Sequence, residues 1–149
     1  MKRIVAILAI TFIGQILHAQ QKKPWKVDWL CGRLEYVQKI PDHKIANTFS
    51  EKRKALRDVS VGLHERHENG ACCDGLNAVE TIQTGRGGHF EFKTKKPGDF
   101  WMATNWSGKE YKLAVVYKPE KNSPTMCSQQ GIALDGEGSA DWWITITVD

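Results

Sequence analysis

The chain has 149 residues, 41% of them hydrophobic and 26% charged, with a formal net charge of +4. That suits one domain with a single core and is too short for two. Fractions this close to the globular average exclude wholesale disorder, collagen-like repeats and a multi-span membrane protein.

The first element is a targeting pattern. Met1-Lys2-Arg3 is basic, Ile4 to Leu17 is apolar apart from Thr11, Gly14 and Gln15, and Leu17-His18-Ala19 ends on a small residue. This is the layout of a secretory signal peptide spanning 1–19, with cleavage after Ala19. The apolar run is shorter than the roughly 20 residues of a spanning helix, so no membrane span is expected in the mature chain. Losing Lys2 and Arg3 lowers the net charge from +4 to +2. The densest basic cluster, Lys52-Arg53-Lys54 with Arg57, is flanked by Glu51 and Asp58. Nucleic acid is therefore not an expected partner. The expected location is secreted or periplasmic.

Residues 20–28 are polar, Lys-rich and contain Pro24, which predicts a flexible lead-in before a single domain over 29–149. From Trp29 onward the dominant period is two. Leu30, Gly32, Leu34 and Tyr36 alternate with Cys31, Arg33, Glu35 and Val37. The same alternation recurs at Val59–His64, His89–Lys93, Phe100–Asn105, Tyr111–Lys118 and Trp142–Val148, and a less cleanly sorted strand is expected over Asn77–Thr84. Each is the signature of a half-buried strand. Between them lie the turn segments Gly85-Arg86-Gly87-Gly88, Lys96-Pro97-Gly98-Asp99 and Ser107-Gly108-Lys109. About seven short strands with such punctuation predict an all-β, antiparallel sandwich of Greek-key type. Only Thr48–Arg57, with Ser50 as a cap, reads as a short helix. Two connections are long, Gln38 to Asp58 and Pro119 to Asp141; connections of this length are often functional or stapled.

The order of these motifs resembles a known family. Cys31-Gly32-Arg33-Leu34 is followed by Leu56-Arg57-Asp58-Val59-Ser60-Val61-Gly62-Leu63, then by Thr84-Gly85-Arg86-Gly87-Gly88-His89-Phe90-Glu91-Phe92 and by Pro97-Gly98-Asp99-Phe100. This looks like the carboxypeptidase regulatory-like domain of the transthyretin-like (prealbumin-like) sandwich group, over roughly Trp29 to Lys118. Gly87-Gly88 supplies the positive φ of a tight hairpin, and Pro97-Gly98 suits the middle of a type II turn. The chain departs from the pattern in its long first connection, in Asp58 and in the insert His67–Asp74. The resemblance implies a non-catalytic module rather than an enzyme. The signatures of the group's purine-product hydrolases are not found.

Several side chains have chemical potential. Cys31, Cys72, Cys73 and Cys127 are disulfide candidates in an exported chain. Cys31 falls on the polar face of its strand, away from the core, and Cys127 in the loop before the last strand. A Cys31–Cys127 bridge is one expectation, leaving Cys72 and Cys73 as a vicinal pair or as free thiols. A network joining Cys72 and Cys73 separately to the other two is the competitor.

His64, His67 and Cys72 or Cys73 would supply imidazoles and a thiolate to zinc or copper. However, H-x-x-H is not the helical H-E-x-x-H spacing, and on a strand His64 and His67 point to opposite faces. A metal site is therefore an alternative rather than the favoured reading, and no cofactor is expected. Asp135, Glu137 and Asp141 lack the other ligands of a calcium loop, and no Gly-x-Ser-x-Gly elbow marks a nucleophile.

Trp142 fits the core pattern, whereas Trp101 and Trp143 fall on polar faces, where they would anchor a partner or stack on sugar rings. The expected function is an exported, non-catalytic binding module. Its expected partner is another protein or a cell-surface component, with carbohydrate binding through Trp101 and Trp143 as the alternative.

Overall fold

The computed structural model describes residues 23–68, 72–73, 78–121 and 126–145. The leader expected at 1–19 lies outside them, as does Asn77. Ten strands are present among the described residues: β1 (Trp25–Val27), β2 (Cys31–Pro41), β3 (Phe49–Ala55), β4 (Ser60–Glu65), β5 (Glu80–Gln83), β6 (His89–Glu91), β7 (Gly98–Trp106), β8 (Lys109–Tyr117), β9 (Gln130–Leu134) and β10 (Ala140–Ile144). They form two sheets. The first runs β1-β8-β7-β4-β5; the second runs β10-β9-β2-β3, with β6 also on β2. Strands β6 and β3 share one edge of β2 end to end, pairing with its residues 31–33 and 35–41.

The alternation in the sequence is what makes this a sandwich. Phe100, Met102 and Thr104 of β7 are buried, as are Tyr111, Leu113, Val115 and Tyr117 of β8. All of these except Thr104 join Leu34, Ile132, Leu134, Ala140 and Trp142 of the second sheet in one core cluster. A period-two stripe on each sheet, closed face to face, removes both from water. Burial pushes the Tyr111 and Tyr117 phenols above their usual range.

Five expectations are corrected. The sheets are mixed rather than antiparallel, because β1 pairs parallel with β8 and β2 parallel with β9. The lead-in at 20–28 contributes β1, whose Val27 is buried. The helix expected over Thr48–Arg57 is strand β3, held by a register from Glu35↔Ala55 to Pro41↔Phe49. Its Glu, Lys and Arg residues favour helix only weakly, and cross-strand pairing with β2 decides the conformation. Gly98 begins β7 and is not among the glycines with positive φ, so Pro97-Gly98 does not make the type II turn. Cys31, expected on the polar face of its strand, is buried.

The positive φ expected at Gly87 and Gly88 is present, at 69° and 75°, but the segment carries the chain from β5 in the first sheet to β6 in the second and so makes no hairpin. Ser107 and Gly108, at φ 52° and 75°, make the two-residue turn between β7 and β8. Both long connections contain strands among the described residues. The first is the β2–β3 ribbon, and the second contains β9.

Candidate functional site

The second sheet presents an outer face built from residues that alternate with the core. Three cross-strand rows define it. Trp143 of β10 lies opposite Gly131 of β9, which lies opposite Arg33 of β2. The next row is Asp141, Ala133, Glu35 and Ala55, and Val37 with Arg53 follows. Strand β10 is three strand spacings from β3, about 14 Å. Yet the Arg53 guanidinium carbon sits 5.7 Å from the centre of the Trp143 ring. The two side chains must therefore reach toward each other across β9 and β2. They can do so because Gly131 and Ala133 leave the surface of β9 low. Gly131 has a second reason to be glycine, since a Cβ there would collide with the backbone of Arg33.

Beneath this bridge lies Glu35, which is 7% exposed. Its carboxylate accepts from Arg53 at 3.1 Å, and Arg33 stands 3.9 Å away on the other side. Arg53 also meets Glu51 at 3.4 Å. Opposite charges held at a buried carboxylate fix the guanidinium fork in place, which a fully solvated pair would not do.

Arg53 and Trp143 border two hollows. One of about 580 Å³ opens between the β2–β3 ribbon and the β9–β10 turn, lined by Val37, Gln38, Glu51 and the 133–141 segment. The other, about 400 Å³, lies toward Ser128 and Thr145. The two connections that read as long loops thus converge on one concave surface. The β9–β10 turn on its rim is held by Asp135, whose Oδ1 accepts from the N–H groups of Glu137 at 2.7 Å and Ser139 at 3.0 Å. Asp135 serves as a turn cap.

The remaining sequence candidates lie elsewhere. Trp101 is on β7, directly opposite His64 of β4 and Ala114 of β8, on the outer face of the first sheet. Trp101 and Trp143 are therefore on opposite outer faces of the sandwich and do not form one platform. His64 leans back over Gly62, its Nε2 2.9 Å from where a Cβ would stand, and it shares a hollow of about 330 Å³ with Cys73. His67 is exposed beyond the end of β4. Cys72 is bonded to Cys73, so neither offers a thiolate. Among the described residues no three His, Cys, Asp or Glu side chains converge on a common point.

The second disulfide, Cys31–Cys127, clamps the 3-10 turn Cys127–Gln129 against the start of β2. Cys31 does face away from the core, but this bridge and the adjoining turn cover it. The Gln130 amide, itself buried, donates to the carbonyls of Cys31 at 2.7 Å and Trp29 at 3.1 Å. Sequence reasoning missed Arg53, Glu35 and the hollow beside them. The available signal was the pair of small residues, Gly131 and Ala133, at alternate positions beside an apolar Ile132 and Leu134.

Comparison of the chain with protein-family models, with characterised proteins and with solved structures finds no match.

Proposed function

We propose that this chain is an exported, non-catalytic β-sandwich module that binds another protein through the outer face of its second sheet. The observation that carries the reading is the Trp143–Arg53 bridge over Glu35, with a hollow on either side. Tryptophan and arginine are the residues that most often dominate protein interfaces, and they do so where packing and ion pairs have fixed them beforehand. The rim mixes both signs, with Arg33 and Arg53 against Glu51, Glu137 and Asp141, as register-setting interfaces do. The Cys31–Cys127 disulfide fits an oxidising compartment, in agreement with the leader pattern. The resemblance to carboxypeptidase regulatory-like domains supports the same class of function, since modules of that group mostly serve as non-catalytic partners.

The carbohydrate alternative is weaker, because Arg53 lies over the Trp143 ring that a sugar would need and Trp101 is on the other sheet. The test is photo-crosslinking in the native host, with a crosslinking residue placed at Val37 and, as control, at Lys112 on the opposite sheet. The expected result is one protein adduct from position 37, lost with Trp143→Ala and not formed from position 112. Equal labelling from both faces, or labelling indifferent to Trp143→Ala, refutes the assignment. Retention on a polysaccharide matrix abolished by Trp143→Ala would favour the carbohydrate reading instead.

A further inference from the structure

The β2–β3 ribbon runs past the rest of its sheet and ends in the loop Asp42–Thr48. This loop is built rather than loose. Asp42 N–H donates to the Thr48 carbonyl at 2.9 Å, and Lys44 N–H donates to the Asp42 carboxylate at 2.8 Å. The Thr48 hydroxyl donates to the Ile45 carbonyl at 2.8 Å. Three large apolar side chains stand exposed around this end: Ile40 at 40%, Ile45 at 59% and Phe49 at 61%. Their directions differ. Phe49 pairs with Pro41, the neighbour of Ile40, so Phe49 and Ile40 project from opposite faces of the ribbon, and Ile45 occupies the loop. A protein groove would engage one face. Apolar groups on both faces and at the end match a medium that surrounds the tip on all sides.

Charge points the same way. Residues 38–54 carry Lys39, Lys44, Lys52, Arg53 and Lys54 against Asp42 and Glu51, a net of +3. Lys52 is three residues behind Phe49 along an extended strand, about 10 Å. That offset matches the depth of about 5–10 Å to which interfacial segments bury apolar groups, leaving basic residues at the level of the headgroups. Lys44, at the tip, has a stem long enough to return its ammonium to the same level.

We infer that the β2–β3 ribbon is a membrane-docking finger that inserts Ile40, Ile45 and Phe49 shallowly into a bilayer surface rich in anionic lipid. This is attachment from one side; among the described residues no helix is long and apolar enough to cross a membrane. The inference is independent of the protein-binding face, because it uses none of the residues at the Trp143 ridge except the charge of Arg53.

The test is co-sedimentation of the chain lacking residues 1–19 with phosphatidylglycerol/phosphatidylcholine vesicles and with phosphatidylcholine alone. Binding is expected to the anionic vesicles, at least tenfold weaker to the neutral ones, and weaker at high salt. Ile45→Ser with Phe49→Ser should reduce the partition coefficient at least tenfold while leaving the circular dichroism spectrum unchanged. Lys44→Glu with Lys52→Glu should reduce binding to anionic vesicles and leave the residual neutral binding as it was. Vesicle binding unaffected by the serine pair, or no sedimentation with anionic vesicles, overturns the proposal. Binding of the ribbon to an acidic protein, without affinity for vesicles, overturns it equally.

Discussion

Glu80 ties β5 to the segment that follows β6. Its carboxylate accepts from Lys93 N–H at 2.7 Å, Thr94 N–H at 3.1 Å and the Thr94 hydroxyl at 2.9 Å. Burial raises its pKa, but the hydrogen bonds from Lys93 and Thr94 and the Lys93 charge outweigh that and hold it below the ordinary value. A carboxyl depressed in the folded state stabilises fully above its unfolded pKa and loses that contribution as pH falls through the folded one. Glu80→Gln is therefore expected to cost about 1–2 kcal/mol at pH 7. The gap from the parent protein should narrow as the pH falls through the lowered folded-state pKa of Glu80. Denaturant titrations of both proteins at pH 7 and pH 3 measure this, and a gap that is constant with pH refutes the ionic account.

At this scale the sequence was informative about core residues and silent about polar ones. Leu34, Val61, Leu63, Phe90, Phe100, Met102, Tyr111, Leu113, Val115 and Trp142 all fall on the apolar face of a period-two pattern, and all are buried. Gln130 and Glu35 are buried as well, but each owes its burial to partners far away in the chain, which periodicity does not report.

Among the elements, strand β3 shows why pattern reading failed where it did. Phe49-Ser50-Glu51-Lys52-Arg53-Lys54-Ala55 is exposed along nearly its whole length, so neither of its faces carries the apolar stripe that marks a strand. Strand β9 failed differently. It is short, and Gln130 and Gly131 broke its alternation although both are buried. The Trp143–Arg53 bridge depends on registers linking β10, β9, β2 and β3, so no local window contains it.

The disulfides were legible as alternatives, and the structure selects the Cys31–Cys127 bridge. That bridge closes a span of 96 residues. Cys31→Ser with Cys127→Ser should lower the free energy of unfolding by about 2–4 kcal/mol. Denaturation under non-reducing conditions measures it, and an unchanged midpoint would mean that hydrogen bonds such as those of Gln130 hold the turn unaided.

Across the whole molecule, the sandwich is closed by pairings between chain ends. Strand β1 meets β8, and β2 meets β9, which with β10 supplies Ile132, Leu134, Ala140 and Trp142 to the core. A fragment ending at Lys121 keeps all five strands of the first sheet but leaves β2 without its parallel neighbour and the core open along that side. It should show no cooperative unfolding transition by circular dichroism or fluorescence. A cooperative transition in that fragment would mean that the first sheet folds by itself. The all-β class followed from alternation and turn residues; the mixed sheets did not, because parallel pairing of distant strands leaves no mark on either one.

The β2–β9 pairing also has a consequence for the export proposed above. If the chain is exported N-terminus first, as proposed, β2 would reach the far side while β9 was still within the translocation channel. Until β9 emerges, β2 would have β3 and β6 beside it but not its parallel neighbour. Cys31, too, must wait for Cys127 before its thiol can be oxidised to the native bridge. A fold that cannot complete itself early is one that a channel accepting only extended chain can pass.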